Sequence, residues 1–240
     1  MLNSEITEYG PLRCRVIDAL PAGTPPQKLV VLCHGFGAPG DDLAAFGPHL
    51  IDASEAVAAG CRFVFPEAPI DLGPMGMPGG RAWWPINMAQ LAAINQTQDY
   101  EQLCSVVPDG MRDASAQLLA TIEAAVADCP GDPALFVGGF SQGAMVTTDV
   151  VLHHGVEPAQ LILFSGTLLC REQWAERAAA HPGCPVFQSH GRQDMVLPFE
   201  PAEWLRDLLS EQGFAVEFHP FTGDHAIPLP VLKRCIELFS

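Results

Sequence analysis

The run LFVGGFSQGAM, Leu135 to Met145, sets a serine between two glycines where an apolar stretch gives way to small residues. The pattern Gly139-x-Ser141-x-Gly143 suits a sharp strand-to-helix turn that leaves a serine Oγ exposed. The glycines have a physical reason there, because strand and helix backbones approach closely and larger side chains would collide. A serine hydroxyl is a poor nucleophile until a base takes its proton, and that base needs an acid to orient it. On such sheets the partners follow the nucleophile in the order Asp or Glu, then His. Downstream, VFQSHGRQDMVLP offers Asp194 and VEFHPFTGDHAIP offers His225, each just past a strand's carboxyl end. The order predicts Ser141 as nucleophile, His225 as base and Asp194 as the orienting acid.

Other candidates read differently. His34 and His190 stand in His-Gly pairs after strands and are expected to make structural hydrogen bonds; His219 before Pro220 is expected to pack. His49, His153, His154 and His181 read as ordinary helix or loop residues. Asp224 adjoins His225 in sequence, too close for a triad, and Asp149 lies on the helix after the nucleophile, directed elsewhere. Charge on a substrate carbonyl oxygen needs preorganised donors. The backbone N–H of Gln142, just after the nucleophile, is one. The loop HGFGAPG after LVVLC offers the other at Phe36, whose neighbouring glycines free the backbone to turn inward; a simple Gly-rich turn is the alternative.

These residues need a sheet to hold them. Continuous apolar runs predict strands covered on both faces at Leu29–Cys33, Arg62–Phe65, Leu135–Val137, Leu161–Phe164, Pro185–Gln188 and Val216–Phe218. Helical stripes fall at Asp109–Ala127, Gln142–Leu152, Pro201–Gln212 and Leu229–Phe239, the last opened by Pro228. The alternation predicts an α/β fold, a mostly parallel sheet with helices on both faces, as one domain over residues 1–240. From Pro66 to Val107 the pattern breaks into a segment rich in Pro, Gly, Met and Trp, with a short helix near Met88–Ile94. A loop this long either covers a ligand site, as a partial lid, or packs on itself as a surface excursion. Met75, Met77, Trp83 and Trp84 would offer an apolar wall for a substrate beside Ser141, unless the tryptophans only anchor the loop. Arg81 pairs either with a substrate anion or with a nearby acid.

Composition narrows the classes. The 240 residues carry a net charge of −16, which disfavours nucleic acid and anionic membrane surfaces. No apolar run approaches the length of a bilayer span and the N-terminus lacks a signal-peptide pattern, so the reading is a soluble, cytoplasmic protein without stable membrane insertion. The eight cysteines form no CxxC pair; no metal site is expected, and the thiols read as reduced, mostly buried small hydrophobes.

Together LVVLCHGFG, FVFPEAPI, RAWW, GGFSQGAM, the FSG of LFSGTLL, HGRQDMVLP and GDHAIP resemble the carboxylesterase/phospholipase family of α/β-hydrolases, which includes acyl-protein thioesterases and lysophospholipases. The resemblance covers nearly the whole chain from about Leu29. It implies the α/β-hydrolase fold and hydrolysis of esters or thioesters without metal or organic cofactor. It implies the triad Ser141, Asp194 and His225 and the oxyanion donors Phe36 and Gln142. The chain departs from the family at Ala38-Pro39, where an acidic residue is usual, at Pro-Ile-Asn after RAWW, and over Asn87–Pro108, which leaves acyl and leaving-group preference open. Two other readings compete. A catalytically silent hydrolase fold serving as a small-molecule binding module sits poorly with a full Ser, Asp, His set. A peptidase on the same fold would usually carry an extra cap or propeller domain.

Overall fold

The computed structural model describes residues 2–180 and 183–240, so His181 lies outside the described residues. Strands β1 (Asn3–Tyr9) and β2 (Leu12–Asp18) form an N-terminal hairpin, followed by β3 (Lys28–Cys33) and β4 (Cys61–Pro66). Two short strands, β5 (Ile70–Asp71) and β6 (Arg81–Ala82), pair into a separate antiparallel ribbon. The main sheet is completed by β7 (Ala134–Phe140), β8 (Gln160–Phe164), β9 (Pro185–Gly191) and β10 (Ala215–Phe221). Its order is β1-β2-β4-β3-β7-β8-β9-β10, antiparallel at β1-β2 and β2-β4 and parallel from β4 onward.

The six predicted strands are the six parallel ones, each a residue or more longer than its apolar run. The hairpin was not predicted. In β2 buried Leu12, Cys14 and Val16 alternate with Arg13 and Arg15, while β1 is an edge strand with mostly exposed side chains, so neither gives an apolar run.

Alternate strand residues feed two cores. On one face Leu29, Val31, Val137, Leu161 and Leu163 pack under α5 (Met111–Asp128), α6 (Gln142–His154), α7 (Arg171–Ala179) and α8 (Phe199–Glu211). On the other, Val30, Leu32, Phe63, Ile162 and Phe187 pack under α1 (Phe46–Ala53), α2 (Glu55–Gly60) and α9 (Leu229–Phe239). The segment Pro66–Val107 holds the β5–β6 ribbon and two helices, α3 (Met88–Thr97), capped by Asn87, and α4 (Tyr100–Ser105), of which only the first was expected. All eight cysteines are free, seven of them buried, and burial pushes the Cys14 thiol up to about 12. Among the described residues no helix is long and apolar enough to cross a membrane.

Candidate active site

Ser141 ends β7 and opens α6 with φ 56° and ψ −119°, a conformation that L side chains seldom adopt. The turn is held from both sides: Ser141 N–H donates to Phe164 O at 2.8 Å, and Ser141 O accepts from Ala144 and Met145 at 3.0 and 3.2 Å. The flanking glycines are steric requirements. A Cβ on Gly143 would lie 2.0 Å from Cys33 O, and one on Gly139 2.5 Å from the same atom. Helix α6 can therefore cross the end of β3 only because neither position carries a side chain.

The loops after β9 and β10 run side by side. Arg192 N–H donates to Phe221 O and Gln193 N–H to Gly223 O, at 2.8 and 3.0 Å. This brings Asp194 and His225 together, with His225 Nδ1 2.6 Å from Asp194 Oδ2. The Asp194 side chain is buried, and Oδ1 accepts from the Val196 and Leu197 N–H groups at 2.9 and 2.8 Å. Burial works to raise its pKa, but hydrogen bonds from His190 and His225 outweigh it and hold the carboxyl well below the usual carboxylate range. An ionised Asp194 makes Nδ1 of His225 the protonated nitrogen and leaves Nε2 free to act as a base. The His225 ring lies against Phe140, centroids 4.6 Å apart, which sets it next to the residue preceding Ser141. Ser165, in the Phe-Ser-Gly after β8, donates from Oγ to Ala226 O at 3.3 Å and ties down the loop beside His225. The motif was visible in the sequence; this use of its hydroxyl was not.

The proposed oxyanion loop is pinned around Phe36. Buried His34 accepts from Ala68 N–H at Nε2 (3.1 Å), so its hydrogen sits on Nδ1 and is donated to Gly35 O at 2.8 Å. Burial lowers the pKa of His34 and keeps the ring neutral. Gly37 N–H donates to Arg81 O and Arg81 N–H to Ala38 O, at 2.8 and 3.0 Å. Between these anchors stands Phe36. Among the described residues the Arg81 guanidinium pairs with no acid: it donates to the carbonyls of Ala68 (2.6 Å) and Pro69 (3.1 Å). Backbone carbonyls, which no charge count anticipates, take the place of the expected acidic partner.

The Gln142 side chain is buried and used at both ends. Its Oε1 accepts from Trp83 N–H at 2.9 Å and its Nε2 donates to Trp84 O at 2.8 Å. The Trp83 indole N–H donates to His34 O at 2.9 Å. Trp83 is thus a buried anchor between the elbow and the oxyanion loop, while Trp84 lines the neighbouring cavity. Met75 is exposed and Met77 lies beside Gly37, both outside that cavity's lining. The four residues expected to form one wall therefore divide, since the indole N–H and the clamped backbone turn Trp83 inward. His219 packs near Phe187, and Asp149 is engaged elsewhere, accepting from Arg112 and from the Trp174 indole.

The cavity holds about 480 Å³. Its wall is mostly apolar, with Trp84, Ile86, Leu91, Ile94, Leu103 and Val106 on the insertion side. Met145, Thr167, Leu169 and Leu197 close it from the sheet side, Met145 one helical turn from Ser141 and Leu197 three residues from Asp194. Among the described residues no group of three or more His, Cys, Asp or Glu is placed to hold a metal ion.

The phospholipase/carboxylesterase family model matches residues 17–237. Acyl-protein thioesterase 1 of Eremothecium gossypii is 30% identical over 193 residues, covering 79% of this chain and 76% of the relative. The crystal structure of esterase PE8 superposes with a TM-score of 0.73 at 25% identity, covering 99% of this chain and 97% of that one. The Zea mays acyl-protein thioesterase 2 structure gives a TM-score of 0.63 at 20% identity, covering 94% and 96%.

Proposed function

The chain belongs to the phospholipase/carboxylesterase family and has the α/β-hydrolase fold, and from that premise we propose that it cleaves carboxylic esters or thioesters of apolar acyl groups through Ser141, His225 and Asp194. The coarser statement, an ester- or thioester-hydrolysing serine hydrolase, follows from the family and its relatives. The observation that carries the finer one is the 2.6 Å Asp194–His225 bond set against Phe140, the residue before the strained serine.

In this reading the chain works as one domain, and residues 66–107 form a partial lid whose inner face walls the acyl site. The acyl chain lies in the 480 Å³ cavity, whose wall includes Met145 on the helix that Ser141 opens, with its carbonyl directed at Ser141. His225 Nε2 takes the Oγ proton as Oγ attacks, and ionised Asp194 stabilises the imidazolium that forms. The N–H groups of Phe36 and Gln142 receive the oxyanion. His225 then returns the proton to the departing alcohol or thiol, and water releases the acid from the acyl-enzyme by the same steps. The residues invoked supply each proton transfer without a cofactor.

Hydrolysis of p-nitrophenyl esters of increasing acyl length, by the wild type and Ser141→Ala, tests this. The expected result is an optimum chain length and loss of turnover in the variant. A folded wild type inactive on every ester would instead favour a binding role for the fold.

A further inference from the structure

His190, on β9, has no part in the mechanism above, yet it touches the same carboxylate as His225. Its side chain is fully buried. Its Nε2 lies 2.8 Å from Leu197 O and 3.3 Å from Asp194 Oδ2. A carbonyl and an ionised carboxylate can only accept, so Nε2 must carry the hydrogen, and that one N–H is shared between both oxygens. The other nitrogen, Nδ1, is buried with no partner among the described residues. The tautomer is therefore fixed by the surroundings: moving the hydrogen to Nδ1 would leave it facing no acceptor and would set two lone pairs, on Nε2 and Oδ2, against each other.

We propose that His190 is a positioning residue for the reaction, holding Asp194 Oδ2 at the place and orientation from which it binds His225. The inference rests on the reading of Asp194 and His225 as the acid–base pair. The geometry gives the reason. The two N–H groups from the loop fix Oδ1, but among the described residues Oδ2 has only the two histidines. Without His190, rotation about the carboxylate's Cβ–Cγ bond meets one restraint fewer on the side that faces the base. The Leu197 carbonyl on the same N–H links β9 to the loop that carries Asp194, so the ring also sets where that loop lies. Phe199 packs 6.0 Å from the His190 ring and keeps it in this rotamer.

Two variants separate positioning from packing. His190→Leu keeps the volume and removes the donor, whereas His190→Gln keeps an amide N–H close to the place of Nε2. The expected result is a fall of about 10- to 100-fold in kcat for His190→Leu, with KM within about twofold, and recovery of most of the loss in His190→Gln. The downfield proton resonance of the His225 Nδ1–H should move in His190→Leu and return in His190→Gln. A folded His190→Leu with wild-type kcat and an unmoved resonance overturns the proposal, as does an equal loss in both variants that follows their thermal stability. Should His190→Leu fail to fold, nitrogen-15 spectra of the wild type decide: a hydrogen on His190 Nε2 supports the proposal, and one on Nδ1 ends it. The spectra need no turnover, and Ser141→Ala tests the underlying reaction, so failure of the mechanism and failure of this inference give different results.

Discussion

Ser141 sits at φ 56° and ψ −119°, where a β-carbon crowds its own backbone. Such a residue stores about 1–3 kcal/mol of strain. Ser141→Gly releases it, because glycine reaches this region freely. Against this stands the larger freedom glycine gives the unfolded chain, which costs about 0.4–1 kcal/mol. The balance favours the glycine variant over Ser141→Ala, which keeps the β-carbon, by about 1 kcal/mol. For a chain of this size that is a Tm about 2–4 °C higher. Both variants lack the hydroxyl and both should be inactive, so the comparison isolates the backbone from the chemistry. Thermal and urea unfolding of the two proteins, side by side, measure it. At an ordinary position the order is reversed, alanine being the more stable. A glycine variant less stable than the alanine variant would refute the claim that the elbow is strained.

Two further outcomes follow from buried ionisable groups. Asp149 is fully buried and accepts from Arg112 and the Trp174 indole, so Arg112→Ala should destabilise the fold by about 2–3 kcal/mol in urea, the retained indole bond keeping the loss from being larger. His34 is buried neutral with its pKa lowered by desolvation. Its contribution to stability is complete above its ordinary value, about 6.5, and is lost as pH falls from there toward the lowered folded value. Urea unfolding between pH 7 and 5 should show a wild-type slope steeper than that of His34→Gln by up to about 1.4 kcal/mol per pH unit; equal slopes would remove His34 as the source.

The parallel half of the fold was legible because its inner strands are buried on both faces, and continuous runs such as KLVVLC and QLILF record that burial directly; β10, at the sheet edge, is only half-buried. The hairpin β1–β2 escaped because β2 alternates apolar with charged residues and the edge strand β1 is mostly exposed, and α1 and α2 because eight- and six-residue helices built around Pro48, Ala56 and Ala59 leave only a short apolar stripe. In the site, chain order pointed to Asp194 and His225, which the loops bring within 2.6 Å. What stayed hidden were contacts between side chains and distant backbone: Arg81 to the carbonyls of Ala68 and Pro69, and Gln142 to Trp83 and Trp84. Such bonds depend on where main-chain groups meet in space, and no spacing of residue types encodes that. His190 is a different case: its His-Gly context marked it as structural, although the carboxylate it meets, Asp194, lies only four residues on.

The clamp by Gln142 also divides the chain by how freely it can change over evolutionary time. Gln142 grips only main-chain atoms of Trp83 and Trp84, whereas the cavity wall beyond them is built from side chains such as Ile86, Leu91, Ile94 and Leu103. The wall is therefore an exchangeable cassette. Its residues can be resized, and the helices within it lengthened, while the grip on the elbow stays in place. Catalytic geometry and substrate fit therefore rest on separate residues: the first on glycines and hydrogen bonds at the elbow, the second on side chains of the wall that the grip does not touch.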